Sequence, residues 1–370
     1  MDRIIAALLL SLSLGLLPAC SEPSEGAGDT DPSDATVHEQ ETPDAADEGD
    51  SGYTLIVPDA SEEQPDAGPY VPPVHPGTSI VWLHTGTTLY KGDLAVRPFT
   101  YEKVGDFVCD DYTSVVTNAQ QLTSITDLAV DQDENLFGVT ARAILPLAIE
   151  NGEVRCTDIW PFPSGTARVN GLTFAPKGTL DATKEVLVGA DDDGKLWRID
   201  ETTGAVTQIG SFGQVPAKDG QGNAYDSEFV GEDFMLSGDI VFMSNAGNPV
   251  GFATVIECKR CGDRVDTLVE IDLSRLRDGN TDSVVKSNRG QVLKSATCDD
   301  AAAEGYDLMY GIAAYDAQVY GFSDSGEIVE ISNVDGTACR IAQGEDETGT
   351  ALRFYGAGIS TAAKVVVEFN

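Results

Sequence analysis

Cationic side chains and histidine are scarce in this chain. Against 61 Asp and Glu stand 23 Lys and Arg and three histidines, a formal net charge of −38. Nucleic acid is bound through clustered cations, so this balance excludes it as a partner. Anionic lipid surfaces would repel the chain for the same reason. His38 and His75 fall in a polar N-terminal stretch, which leaves His84 alone to serve a Ser-His-Asp hydrolase, and no Gly-x-Ser-x-Gly elbow accompanies it. No His-Glu-x-x-His pair and no Gly-Lys-Ser/Thr phosphate cradle occurs, which sets zinc proteases and nucleotide enzymes aside. No window carries a sustained helical stripe, and no apolar run reaches the roughly 20 residues that a membrane-spanning helix needs.

The chain begins with Arg3, an apolar run from Ile4 to Leu17 interrupted only by Ser and Gly, and then Leu17-Pro18-Ala19-Cys20. That is a signal-peptide layout. Its last four residues resemble the lipobox of bacterial lipoproteins. The resemblance implies that residues 1–19 are removed and that Cys20 becomes a lipidated N-terminus with three acyl chains, palmitate being the expected type. More than one chain is what stable anchoring requires. Ser21 stands where an inner-membrane retention signal would place Asp, so the expected location is the outer membrane, facing the periplasm or the cell surface.

Residues 20–77 form the next region. From residue 21 to residue 77 there are fifteen acidic residues and no Lys or Arg, with Pro, Ser, Ala and Gly filling most of the rest. Such a segment cannot bury enough apolar surface to offset the entropy of ordering, so a disordered acidic tether is expected. Tyr53-Thr54-Leu55-Ile56-Val57 is its one apolar island, and the Pro69 to Pro76 stretch should be stiff and extended.

Residues 78–370 change character. Short alternating apolar runs separated by Gly, Asp, Asn and Ser argue for an all-β domain, and the runs repeat. Units begin near Ile125, Val169, Phe234 and Gly311, each with about four strands over roughly 40 to 65 residues, near the period of a propeller blade. Tyr355 to Ile359 and Val365-Val366-Val367 look like the start of a unit that never finishes, and Ile80 to Val108 like a unit without its start. Joining the two ends closes the ring as a composite blade and leaves no free sheet edge. The expectation is a five-bladed β-propeller, or six blades if both ends supply whole sheets. The unit Gly194 to Val206, Gly-x-Leu-Trp-Arg-Ile-Asp-x-x-Thr-Gly-x-Val, resembles blades of NHL, gluconolactonase-like and quinoprotein-like propellers. That resemblance implies an architecture, and function must be argued from a site.

Apart from Cys20 there are six cysteines, an even number that suggests disulfides in an exported chain. Fifteen connectivities are open; the pairing adopted is Cys109 with Cys156, Cys258 with Cys261, and Cys298 with Cys339, the first and last linking neighbouring repeats. Cys258-Lys259-Arg260-Cys261 has redox-motif spacing but follows a strand-like run instead of opening a helix, so a structural bridge is expected there.

In a propeller the first strand of each blade lines the channel, and its leading residues face the mouth. Aligning the units brings together Thr126 and Asp127, Asn170 and Gly171, Glu232 and Asp233, Tyr310 and Gly311, and Tyr355 and Gly356. Convergent oxygens would suit Ca²⁺, and the gluconolactonase-like resemblance touches Glu232 and Asn170. Asp127 with Glu232 is a possible glycosidase pair. Asp131-Gln132-Asp133-Glu134-Asn135 and Asp191-Asp192-Asp193-Gly194 imitate calcium loops but lack the later ligands, so turn chemistry explains them better.

The function these readings favour is a monomeric, lipid-anchored envelope module that binds a protein, peptide or glycan. A metal-assisted hydrolase or lactonase at the channel mouth and a ligand-free envelope scaffold with a plugged channel are the alternatives.

Overall fold

A computed structural model of the chain describes residues 79–109, 125–163, 168–218, 227–245, 248–257, 265–279, 283–298, 304–306 and 308–363. The signal peptide, Cys20, the tether, Val365-Val366-Val367 and the Cys258–Cys261 pair lie outside the described residues.

Five four-stranded antiparallel units make up the domain. The first three strands are β1 (Ile80–His84), β2 (Thr88–Asp93) and β3 (Tyr101–Val108). The second blade holds β4 (Asp127–Val130), β5 (Leu136–Val139), β6 (Ala143–Glu150) and β7 (Glu153–Cys156), with the short β8 (Trp160–Pro161) also paired to β6. The third holds β9 (Val169–Ala175), β10 (Val186–Asp191), β11 (Lys195–Ile199) and β12 (Val206–Ser211). The fourth holds β13 (Met235–Asn245), β14 (Asn248–Ile256), β15 (Thr267–Ile271) and β16 (Val285–Gln291), with a one-turn helix α1 (Leu273–Arg277) between the last two. The fifth holds β17 (Met309–Tyr315), β18 (Gln318–Ser323), β19 (Glu327–Ile331) and β20 (Ala338–Gln343). Finally β21 (Gly356–Ile359) pairs antiparallel with β1, Leu83 opposite Ala357, and so completes the first blade.

The inner strands touch in the order β4, β9, β13, β17, β21 and back to β4, so the ring is closed. This is a five-bladed β-propeller whose composite blade joins the two ends of the chain. Alternation explains its core. Successive side chains of a strand point to opposite faces, and each face of a blade meets a neighbouring blade. Ile240 and Phe242 of β13 pack with the third blade, while Val241 and Met243 pack with the fifth. Each of the five interfaces has such a cluster. For this reason β10 and β15 are buried at every position. Full burial of one large aliphatic side chain contributes about 1.5–3 kcal/mol, so every interface holds several such contributions.

One expectation needs correction. Closure does not remove every sheet edge, because β12, β16 and β20 each have a strand neighbour on one side only among the described residues. Closing the ring joins inner strands, whereas the outer strand of a blade is left beside solvent. The exception is the closure seam, where β3 of the composite blade pairs parallel with β7 of the second blade, Phe107 opposite Val154. The Cys109–Cys156 disulfide lies at the end of that pairing and closes a separation of 47 residues. Cys298, on the connection into the fifth blade, is bonded to Cys339 of β20, the outer strand of that blade. Both bridges are the expected ones.

The two acidic turns behave as turns. The Asp131 carboxylate accepts the backbone N–H of Asp133 (2.9 Å) and Asn135 (2.8 Å) and the Asn135 amide (2.7 Å). Asp191 accepts from the N–H of Asp193 and Lys195 and from the Trp197 indole (2.9 Å). Their oxygens are thus taken up in holding the loops between strands.

Candidate functional site at the channel mouth

Each inner strand sends its leading residues to the axis. Thr126, Asn170, Ser237 with Gly238, Tyr310 and Tyr355 come from five different blades and line one cavity of about 350 Å³. Arg168 and Asp192 stand on its polar side, and Met235, Leu236, Ile256 and Leu308 add apolar wall. The two phenol rings are stacked at 5.9 Å between centroids and 7° between planes. Arg353 lies 6.0 Å from the Tyr355 ring centroid and is held by both oxygens of Asp324 (2.8 and 2.6 Å). Thr126 is committed to the wall: its hydroxyl donates to the carbonyls of Val139 and Val169.

Below the mouth the channel is closed by three titratable side chains with no exposed surface, Asp127, Asp239 and His84. Asp127 accepts the N–H of Leu172 (2.5 Å), which ties the second blade to the third. Asp239 accepts from Ile240 (2.6 Å) and from Ile312 (2.9 Å), which ties the fourth to the fifth. The two buried carboxyls act on one another's ionisation. Burial pushes both above the usual carboxylate range, and the charge of Asp239 pushes Asp127 further. His84 donates from Nδ1 to the Thr85 carbonyl (2.8 Å), leaving Nε2 as an acceptor. Burial lowers it to about 4, so the ring is neutral. His84 Nε2 and Asp127 Oδ1 have no partner among the described residues. They meet at Gly356, where a Cβ would press on Asp127 Oδ1 and lie 2.5 Å from His84 Nε2. A proton on Asp127 Oδ1 turns that oxygen into a donor beside the His84 Nε2 acceptor.

A third buried acid, Asp266, sits beside the cavity. It accepts the Ser237 hydroxyl and the N–H of Met309 (2.5 Å), and burial raises it to about 7.

The sequence-based candidates are thus divided. Asn170, Tyr310 and Tyr355 line the mouth, and Asp127 lies in the closed layer beneath it. Glu232 and Asp233 lie elsewhere: they are exposed and run beside Gln214 and Val215, the segment following β12. The corresponding position of the fourth blade is Gly238-Asp239. The strand β13 is irregular between Leu236 and Ile240, which hides the register. Asp127 and Glu232 do not meet: Asp127 is fully buried, Glu232 is exposed beside Val215, and the carboxyl that acts on Asp127 is Asp239. Among the described residues no group of three or more His, Cys, Asp or Glu is arranged to hold a metal ion. Nor does any described serine hydroxyl bond to His84. Asp239 and Arg168 are the site residues that sequence reasoning missed. The (Asp/Gly)-aliphatic pair shared by Asp127-Leu128, Gly311-Ile312 and Asp239-Ile240 was the available signal for the first.

Closure, blade order and mouth define the class: a five-bladed β-propeller with a cavity at the head of a sealed channel. No protein-family model matches the chain, and no curated protein sequence does. Solved structures that overlap it include a protein of unknown function from Bacteroides caccae, with 8% identity over 75% of this chain and 97% of that one and a TM-score of 0.36. YCF48 from Cyanidioschyzon merolae overlaps with 12% identity over 73% of this chain and 71% of its own, at a TM-score of 0.33. BBS1N in complex with ARL6DN gives 10% identity, 66% and 58% coverage and a TM-score of 0.29. At such scores these overlaps carry nothing about ligand or partner, and the fold assignment rests on the strand order itself.

Proposed function

We propose that the chain is a binding module of the bacterial envelope, anchored through a lipidated Cys20 at the outer membrane, and that the channel mouth is its ligand site. The tether of residues 20–77 presents the ring away from the membrane. The observation that carries the reading is the convergence of five blades on one polar and aromatic cavity above a closed floor. A ligand-free scaffold with a plugged channel is less well supported, because the inner strands leave a cavity of about 350 Å³ at the mouth. Pockets with a few convergent polar groups and aromatic walls are the usual form of small-ligand sites, and about 350 Å³ falls at the lower end of their size range. The metal-assisted hydrolase has no ligand set to support it among the described residues.

Binding of the full chain to an array of envelope glycans and peptides tests the reading. Any ligand retained should lose about tenfold or more in affinity on Asn170→Ala combined with Tyr355→Ala, the loss of roughly one charge-free hydrogen bond plus an aromatic contact. Ligands held equally by parent and variant would place the site elsewhere. In cells, Cys20→Ser should move the protein to the soluble fraction, and retention on membranes would contradict the anchor.

A further inference from the structure

We infer that the mouth takes a singly charged, carboxylate-bearing sugar ring, gripped by Arg168 and Asn170. The inference rests on the mouth being the ligand site and adds the chemistry of what enters it. Strand β9 arrives there as Arg168-Val169-Asn170. Val169 is fully buried in the core between the second and third blades. The two-residue period therefore turns Arg168 and Asn170 together to the other side, and both line the cavity. Neither the Arg168 guanidinium nor the Asn170 amide has a hydrogen-bond or ion-pair partner among the described residues. By contrast, the nearby Arg353 is already neutralised by Asp324.

A guanidinium presents a planar fork that matches a carboxylate in two parallel hydrogen bonds. The neighbouring amide can donate to and accept from a hydroxyl beside it. Residues 78–370 hold 45 acidic and 22 basic side chains, so the field of the domain as a whole opposes anions. An anion would be held only where a cation stands unneutralised. Asp192 limits the charge further: its N–H donates to the Arg168 carbonyl (2.9 Å), and this acidic residue lines the same cavity without an ion pair to Arg168. A second negative charge on the ligand would face it, which favours a carboxylate over a phosphate dianion. The remaining wall is ring-stacked tyrosine and aliphatic side chain. A ligand with one charged edge, hydroxyls and an apolar ring face fits both halves, and a sugar acid has all three.

Equilibrium binding of methyl glucuronide, methyl glucoside and a short acetylated peptide with a free carboxylate tests this with the full chain and its Arg168→Gln and Arg168→Lys variants. The glucuronide should bind about tenfold or more tightly than the glucoside, the expected size of a charge-assisted contact. Arg168→Gln should erase that preference, and Arg168→Lys should restore part of it. Because Arg168 is exposed, an unchanged melting temperature should accompany both variants. Glucoside bound at the mouth as tightly as glucuronide, or a preference that survives Arg168→Gln, would overturn the acid while leaving the mouth reading intact. Preference for the peptide would overturn the sugar. Failure of all three probes together with every array ligand would remove the mouth reading and this inference at once.

Discussion

Asp127→Asn should make the protein more stable than the parent at alkaline pH, with the difference shrinking toward pH 5. The parent holds Asp239 at about 8 and Asp266 at about 7, against an ordinary value of 3.8, and Asp127 is raised as well. For a carboxyl raised by folding, the native state keeps a proton that the unfolded chain has lost. Its stabilising contribution is complete below about pH 4 and is lost as the pH rises through the native value. His84 works in the opposite direction. Its native value of about 4 lies below the ordinary 6.5, so its contribution is complete above 6.5 and is lost as the pH falls through 4. Three carboxyls outweigh one imidazole between these limits, and above 6.5 only the carboxyls act. Stability of the parent should therefore fall from mildly acidic pH to pH 9. At about 1.4 kcal/mol per pKa unit, the fall is on the order of several kcal/mol.

Asparagine at position 127 copies the protonated acid. Its carbonyl can accept from Leu172 N–H as the present Oδ2 does, and its amide supplies a donor beside His84 Nε2. The proton lost at high pH is thereby replaced by one that does not titrate. Urea midpoints from pH 5 to pH 9 would show two curves that meet at the acid end and diverge at the alkaline end. Parallel curves would contradict a protonated Asp127. Asp127→Ala should instead cost about 1–3 kcal/mol throughout, because it leaves the buried Leu172 N–H without an acceptor.

Gly238→Ala should be among the most damaging single changes in the domain. A Cβ at position 238 would lie 2.5 Å from Tyr310 Cα and closer still to the Met309 carbonyl oxygen. Both are backbone atoms of β17, so relief requires moving one inner strand off another. Overpacking that side chains cannot absorb costs about 3 kcal/mol or more, and here it acts where the fourth and fifth blades touch at the axis. Gly171→Ala is the matched control on β9. Its nearest neighbour would be Leu236 Cδ2 at 3.1 Å, the end of a side chain that can turn aside, and its cost should stay within about 1 kcal/mol. Denaturant midpoints separate the two, and equal small effects would show that the inner strands are not so closely held.

Much of this architecture was legible because a propeller writes one short pattern repeatedly. Alternation in Ile80 to Val108 and in Tyr355 to Ile359 was enough to expect that the chain ends share a blade, since neither segment could bury both faces alone. The even cysteine count outside Cys20 pointed to disulfides but left fifteen connectivities open; the positions of Cys109, Cys156, Cys298 and Cys339 in neighbouring repeats favoured the two pairings found. The parallel pairing of β3 with β7 was not legible, because contact between the outer strands of two blades leaves no local periodicity. At the mouth, the leading residues of four inner strands were readable by alignment. The fourth blade escaped because Glu232-Asp233 precedes the apolar Phe234-Met235-Leu236 as a strand start should, while the true mouth position follows an irregularity inside an 11-residue strand. His84 gave no sign of its place, since its burial depends on Asp127 and Gly356, which are far away in sequence and adjacent only in the closed ring.

The most direct measurement is a crystal structure of the full chain bound to its best array ligand. The ligand is expected at the axis, in contact with Asn170 and Tyr355 and above Asp127. A ligand seated on the outer strands β12, β16 or β20, or on the opposite face of the ring, would contradict the channel mouth as the site.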